Sequence, residues 1–272
     1  MKNPYQVVRV FHKANEAQGN LAAIYFDDED SERFELIKVS RNIEKKQGIT
    51  TTCFIKHIID EQYLVRCFNG ENEIQCCGHG MIAAAKSILL ERELVSVIFN
   101  GNLTAAYTVK KDGNKHVTLT LPRIFSEIQE MPSWVCNSIT IKGKVIHPNN
   151  CAISAENDGY LLFEYEPLLA LDDFSALQLD LKQVCENTKR AIVLLQFEKE
   201  KQYLYLRYFA PQYGVEEDAA TGSVMRFVAD YIEKKYQCSR FEVNQCSAQG
   251  GYMNVECKIE KIIITANATI ET

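Results

Sequence analysis

The sequence predicts a sheet-dominated fold in two similar halves, each with one helix buried in its sheet. Three observations predict it. Strand-like runs outnumber helical ones along the chain. Two helical segments carry apolar or small residues over much of their first turns, the mark of a helix inside a core rather than on a surface. These two helices are also entered in the same way, which reads as a weak internal duplication.

The strands are read first. Gln6 to Phe11, Leu21 to Phe26, Thr52 to Ile58, Tyr63 to Phe68, Val95 to Phe99, Leu103 to Lys110 and His116 to Leu121 are rich in Val, Ile, Tyr, Phe and Thr. Ser138 to Ile146, Tyr160 to Tyr165, Ala191 to Gln196, Gln202 to Phe209, Gly251 to Cys257 and Ile262 to Ile264 repeat the style. Gly, Asn or Asp often separates the runs. Phe197 to Lys201 reads as an exposed hairpin.

Four segments have helical spacing. Phe34, Ile37, Val39 and Ile43 mark one, behind the acidic stretch Asp27 to Glu32. Phe174, Leu177, Leu181 and Val184 mark another. Met81, Ala84, Ala85, Ile88 and Leu89 fall at i, i+3, i+4, i+7 and i+8, and Val224, Phe227, Val228, Tyr231 and Ile232 share that spacing.

The last two helices carry the duplication. Leu64 to Phe68 leads through Glu71 to Glu73 into Cys77-Gly78-His79-Gly80. Tyr205 to Phe209 leads through Glu216, Glu217 and Asp218 into Ala219-Ala220-Thr221-Gly222-Ser223. Each is a strand ending in Arg-x-Phe, an acidic loop, a glycine turn and a helix start. The boundary falls after Leu121-Pro122, giving halves 1–123 and 124–261 with no Gly/Ser linker.

Composition excludes several classes. The 272 residues are 46% hydrophobic and 24% charged, which rules out disorder as the main state. Thirty Lys and Arg against 36 Asp and Glu give a net charge of -6, with no basic excess for nucleic acid. Apolar runs such as Met81 to Ala85 are far shorter than the roughly 20 residues that cross a bilayer. The N-terminus lacks a charged-then-apolar signal segment, so a cytoplasmic protein is expected. Ten scattered cysteines without a C-x-x-C pair read mainly as buried thiols. Only Cys76, Cys77 and His79 cluster, and adjacent cysteines do not easily ligate one tetrahedral ion.

The two turns supply the candidate chemistry. A helix start presents unpaired N–H groups and about half a positive charge. Two such starts facing one another would grip a carboxylate or a developing enolate. Cys77, His79, Asp218, Thr221 and Ser223 stand at these turns. The helix start predicts a lowered thiol pKa for Cys77, and His79 and Asp218 are proton carriers. Each residue also has a structural reading. Gly78-His79-Gly80 serves equally as a tight turn, Asp218 as a helix cap, and His79 as a satisfied core histidine. His12, His57, His116 and His147 have no partner motif and read as structural or exposed.

Several segments together resemble the phenazine-biosynthesis PhzF-like family, which is related to diaminopimelate epimerase. Gly19-Asn20-Leu21-Ala22-Ala23 is similar to its Gly-Asn-Pro-Ala-Ala, and Cys77-Gly78-His79-Gly80 to its Cys-Gly-His-Ala/Gly turn. Arg207 to Pro211 with Gly214 to Ser223 resembles Arg-x-Phe-Ala-Pro followed by Gly-x-x-Glu-Asp-Pro-x-Thr-Gly-Ser. Gln245-Cys246-Ser247 with Gly250-Gly251 resembles its C-terminal segment.

The resemblance implies an α+β fold of two pseudo-symmetric epimerase-like halves. Each would wrap a curved, barrel-like sheet around a central helix, with the last strand, about 262–272, returning to the first half. It implies a homodimer, no metal or organic cofactor, and an active site in the cleft between halves. The reaction class is acid–base proton transfer on a small carboxylate-bearing metabolite. Asp218, His79 and Cys77 would be catalytic, and Asn20, Gly78, Gly80, Met81, Thr221, Gly222 and Ser223 would bind substrate.

One position departs from the pattern. Thr51 stands where the family's catalytic Glu is expected, and a hydroxyl is no general base near neutral pH. Glu44 lies nearby without evidence that it substitutes. Ala219 and Ala220 replace the second cysteine of the epimerases. Three readings stay open: an active isomerase or epimerase, a pseudoenzyme that binds a carboxylate without turnover, and a thiol-redox or metal protein built on Cys76, Cys77 and His79.

Overall fold

The computed structural model describes residues 5–27, 31–74, 77–100, 106–112, 116–155, 159–166 and 170–271. The chain divides into two compact units, Met1–Pro122 with Ile263–Thr272, and Arg123–Ile262. The first begins with β1 (Gln6–Val10), β2 (Asn20–Phe26), α1 (Arg33–Gln47), β3 (Thr51–Ile59), β4 (Gln62–Asn69) and β5 (Asn72–Ile74). It continues with α2 (Gly78–Glu91), β6 (Ser96–Asn100), β7 (Ala106–Asp112) and β8 (His116–Pro122). The second contains β9 (Ser126–Gln129), β10 (Ile139–Ile141), β11 (Lys144–Val145), β12 (Asn150–Ser154), β13 (Tyr160–Tyr165), α3 (Leu171–Ser175) and β14 (Gln178–Leu179). It ends with α4 (Leu181–Asn187), β15 (Ala191–Glu198), β16 (Tyr203–Phe209), α5 (Met225–Tyr236), β17 (Arg240–Gln245) and β18 (Gly251–Cys257). The final strand, β19 (Lys261–Glu271), belongs to the first unit from Ile263 onward.

In the first unit the strand order is β1-β2-β3-β4-β6-β7-β8-β19, and β19 also pairs antiparallel with β1. This curved sheet wraps α2, which lies against β1, β2, β3, β4, β6, β7 and β8. Every residue from Gly78 to Leu89 is buried, as the apolar and small residues around the helix require. α1 covers the opposite face of β3 and β4. Leu36 packs with Phe54 and Phe68, whose rings meet edge-on at 5.7 Å. Side chains alternate along a strand, so Cys53 and Cys67 point the other way, toward α2. Gly48 ends α1 in the left-handed conformation at φ 69°.

In the second unit the sheet order is β9-β12-β13-β15-β16-β17-β18. α5 packs against β9 and β18, the two ends of that order. Its carboxylates and cations fasten it. Asp230 is fully buried and accepts from Arg123 Nε at 2.6 Å, from the Ser126 N–H at 2.7 Å and from the Ser126 hydroxyl at 2.6 Å. Lys234 adds an ion pair at 2.9 Å. Farther along the helix, the buried Glu164 of β13 accepts from the Tyr231 hydroxyl at 2.8 Å and Asn150 at 2.9 Å, and also bonds Lys235 and Tyr236. A separate three-stranded sheet, β11-β10-β14, and the helices α3 and α4 bury Val135, Phe174, Leu177 and Val184 against β13 and β15.

The α+β class agrees with the expectation. Several local readings need correction. The helix expected over Phe174 to Val184 is two helices, because Asp180 caps a new one by accepting from the Gln183 N–H at 3.1 Å. The strand expected over Ser138 to Ile146 is a hairpin, turned at Lys142 and Gly143, which has φ 78°. β5, β9, β12, β14 and β17 are strands that the sequence reading passed over. The strand expected over Leu103 to Lys110 is described only from Ala106, and Asp28 to Asp30 of the acidic stretch lie outside the described residues. Among the described residues no helix is long and apolar enough to cross a membrane.

Candidate active site

Each unit prepares its helix start with the same device. In the first, Arg66 on β4 holds Glu73 on β5 through two parallel bonds of 2.8 and 2.9 Å. Its guanidinium lies 5.3 Å from the Phe68 ring centre. In the second, Arg207 on β16 holds Glu217 through bonds of 2.7 and 2.8 Å and lies 4.9 Å from the Phe209 ring centre. Bidentate Arg–carboxylate pairs fix orientation as well as distance. The Arg-x-Phe ending seen twice in the sequence is thus a clamp that anchors the acidic loop before each turn.

Cys77 precedes α2 as its extended N-cap and makes no side-chain cap bond. The first bond of the helix ladder runs from the Met81 N–H to the Cys77 carbonyl at 2.9 Å. The N–H groups of Gly78, His79 and Gly80 therefore precede that ladder, in the position that suits an anion. His79 is buried, with Nδ1 3.7 Å from Cys77 Sγ. Met81 is also buried.

The Cys77 thiol corrects the expectation of a lowered pKa. Its hydrogen bond with Cys67 and its burial push it well above the usual thiol range, and His79 opposes them without prevailing. The positive end of a helix does not overcome burial beside other thiols. Gly80 also has a packing role. A Cβ there would meet Cys53 Sγ at 2.6 Å, and Cys67 and Cys77 Sγ both at 2.9 Å. Three sulfurs occupy the space that the glycine leaves.

Thr51 and Asn20 come to one end of the sheet. Parallel β2 and β3 align Ala22 with Thr51, and Asn20 begins β2. Strand alternation puts Thr51 on the Cys53 face, toward α2, where it is buried. Gly19 sits at φ 73° against the Val10 carbonyl, a place closed to any Cβ. Glu44 lies on α1, and its carboxylate would be 3.1 Å from a Cβ at Gly70, on the face of β3 and β4 away from α2.

The second turn is a hydrogen-bonded loop. The Thr221 hydroxyl donates to the Asp218 carboxylate at 2.5 Å. The Asp218 N–H bonds the Tyr208 carbonyl at 3.1 Å. Gln245, fully buried at the end of β17, accepts from the Thr221 N–H at 2.8 Å and donates to the Asp218 carbonyl at 2.6 Å. Ser247 donates to the Ala219 carbonyl at 2.7 Å. Gly251 backs the loop so closely that a Cβ would lie 2.5 Å from the Ala220 Cβ. Gly222 and Ser223 lend their carbonyls to the N–H groups of Met225 and Arg226, and Ser223 is buried. The N-cap of α5 is Val224, so Asp218 does not cap that helix.

Within the first unit the structure therefore gathers Cys77, Gly78, His79, Gly80 and Met81 on one turn, and within the second Asp218, Thr221, Gly222 and Ser223 on another. Gln245, Arg66, Glu73, Arg207 and Glu217 hold these turns although none was given a role from sequence. The repeated Arg-x-Phe and the polar end of the alternating run Phe241, Val243, Gln245 were the available signals. His57 bonds the Asp60 carbonyl and His12 the Thr269 hydroxyl, both structural. Cys76 lies outside the described residues, and among those described no group of three His, Cys, Asp or Glu is arranged to hold a metal ion.

Comparison with known proteins identifies the family. An uncharacterized isomerase of Vibrio cholerae is 28% identical over 229 residues, covering 84% of this chain and 75% of the relative. The trans-2,3-dihydro-3-hydroxyanthranilate isomerase of Pseudomonas aeruginosa is 23% identical over 244 residues, covering 86% and 81%. The crystal structure of a PhzF-family protein from Enterococcus faecalis superposes with a TM-score of 0.82 at 19% identity, covering 100% of this chain and 98% of that one. The phenazine biosynthesis-like protein family matches residues 8–271, so nearly the whole chain belongs to that family.

Proposed function

We propose that this protein is an isomerase or epimerase that moves a proton on a small carboxylate-bearing metabolite. The observation that carries the reading is the Asp218 loop. Its carboxylate is held by the Thr221 hydroxyl, and its backbone is pinned by Gln245. A carboxylate fixed by bonds made before substrate arrives is suited to proton transfer, which tolerates little misplacement. His79 is the second proton carrier. The N–H groups at the start of α2 hold the substrate carboxylate and stabilise enolate-like charge. Cys77, kept protonated by burial and Cys67, serves as a donor in this scheme. No metal or organic cofactor takes part, and the working form is a homodimer.

Thr51 favours a second reading, a carboxylate-binding protein without turnover, because the family's general base is missing at that place. One experiment separates the two. Purified protein is incubated in D2O with a panel of cyclic and α-amino carboxylates that includes trans-2,3-dihydro-3-hydroxyanthranilate, and the carbon-bound proton is followed by NMR. An active isomerase washes deuterium into one of them, and Asp218→Asn reduces the rate at least about a hundredfold, the usual scale of a general acid or base. Carboxylate binding without exchange across the panel establishes the pseudoenzyme. Exchange unaffected by Asp218→Asn removes Asp218 from the mechanism. Thr51→Glu gaining exchange shows that the position was aligned correctly.

A further inference from the structure

The sulfurs around Gly80 form a site of their own. Cys53 and Cys67 are direct partners in the antiparallel register of β3 and β4. Such partners have Cα atoms about 4.5–5.5 Å apart, inside the roughly 4.4–6.8 Å window that a disulfide spans. Both side chains point toward α2, and their sulfurs stand 2.9 Å apart, each still a thiol. Cys77 joins them through its hydrogen bond with Cys67. Gly80 makes room for all three, since any Cβ there would strike every sulfur. Backbone register, side-chain direction and sulfur separation thus converge on one pair, and forming the bond asks for no rearrangement of the sheet.

We propose that Cys53 and Cys67 are a two-electron redox site, oxidised to a cross-strand disulfide by a small hydroperoxide. Cys67 retains a little exposure and Cys53 none, so Cys67 meets the oxidant. Its thiolate attacks one peroxide oxygen and the O–O bond breaks. The departing hydroxide takes a proton and leaves as water, and Cys67 becomes a sulfenic acid. The Cys53 sulfur then attacks Cys67 Sγ, the S–O bond breaks, and the second oxygen leaves as water with the Cys53 proton. Two thiols have lost two hydrogens and one hydrogen peroxide has become two waters. A compact oxidant suits a site this closed. Cys77 remains a thiol. Oxidation would take the Cys67 thiol away from Cys77, but the redox pair stands whether or not the protein is an isomerase.

The test uses the full chain carrying Cys136→Ser and Cys185→Ser, which removes the two thiols that are exposed among the described residues. Reduced protein is treated with hydrogen peroxide, alkylated in denaturant and weighed intact. The expected result is a species lighter by two hydrogens with two thiols fewer to alkylate. Fragmentation of non-reduced peptides should join Cys53 to Cys67. Cys77→Ala keeps this product, whereas Cys53→Ala abolishes it. A linkage of Cys77 to either partner, or over-oxidation of single thiols with no loss of two hydrogens, overturns the proposal. Peptide mapping of the parent protein reads the linkage directly, so the outcome does not depend on any alanine variant folding.

Discussion

Gln245 has no titrating or nucleophilic group, yet it makes the bonds that set the Asp218 loop. Its amide satisfies the Thr221 N–H and the Asp218 carbonyl together. Gln245→Leu keeps the volume and leaves both backbone groups without that partner inside the protein. Unsatisfied buried groups cost about 1–3 kcal/mol each, so a loss of about 2–3 kcal/mol in urea unfolding is expected. A change below about 0.5 kcal/mol would show that the loop stands without it. Little of this was legible beforehand. Alternation puts Gln245 on the face of Phe241 and Val243, but it does not say which backbone groups of a distant loop the amide will meet. Cys77 taught the opposite lesson. Its place before a helix was visible in the sequence, but its neighbours Cys53 and Cys67 come from other strands, and they decide the sense of its pKa shift.

Among elements, those with a strong pattern were legible. The spacing of Met81 to Leu89 described a helix buried all round, and α2 is one. α3 and α4 share a continuous apolar spacing that hid the break at Asp180, because periodicity does not register a cap. β17 was missed although it alternates, because its outer face carries Arg240, Glu242 and Asn244 and its inner face ends in a glutamine, leaving only Phe241 and Val243 as apolar residues. α5 shows how an element is fastened. Burial would raise the Asp230 pKa, but bonds from Ser126, Lys234 and Arg123 outweigh it and hold the carboxylate below its ordinary value of 3.8. A depressed pKa contributes stability above the unfolded value and loses it as pH falls through the folded value. The protein should therefore lose stability from about pH 4 downward. Asp230→Asn should be less stable at neutral pH and show a flatter decline in acid. Urea melts at neutral pH and on either side of pH 4 measure this, and parallel declines in both proteins would contradict it.

At the scale of the molecule, the family and its α+β class were legible because motif blocks recur in order from Gly19 to Gly251. The arrangement of strands was not, since register depends on pairings far apart in sequence. The longest such pairing joins β1 to β19, from Val7 opposite Glu271 to Val10 opposite Ala268. Along β19, Ile264, Ala266 and Ala268 are buried. Deleting residues 263–272 should strip amide-exchange protection from β1 and β8 while β15 and β16 stay protected. Equal loss in all four strands, or none in β1, would contradict the division of the chain into these units.

That same pairing sets a timetable for biosynthesis. A ribosome delivers β1 early and β19 only after every residue of Arg123–Ile262 has been made. The first unit must therefore wait, with an unfinished edge beside β1, until the whole of the second has been made. Any chaperone that attends this protein during translation therefore has its work on the first unit, whose opening strand is made before the second unit and whose closing strand is made after it.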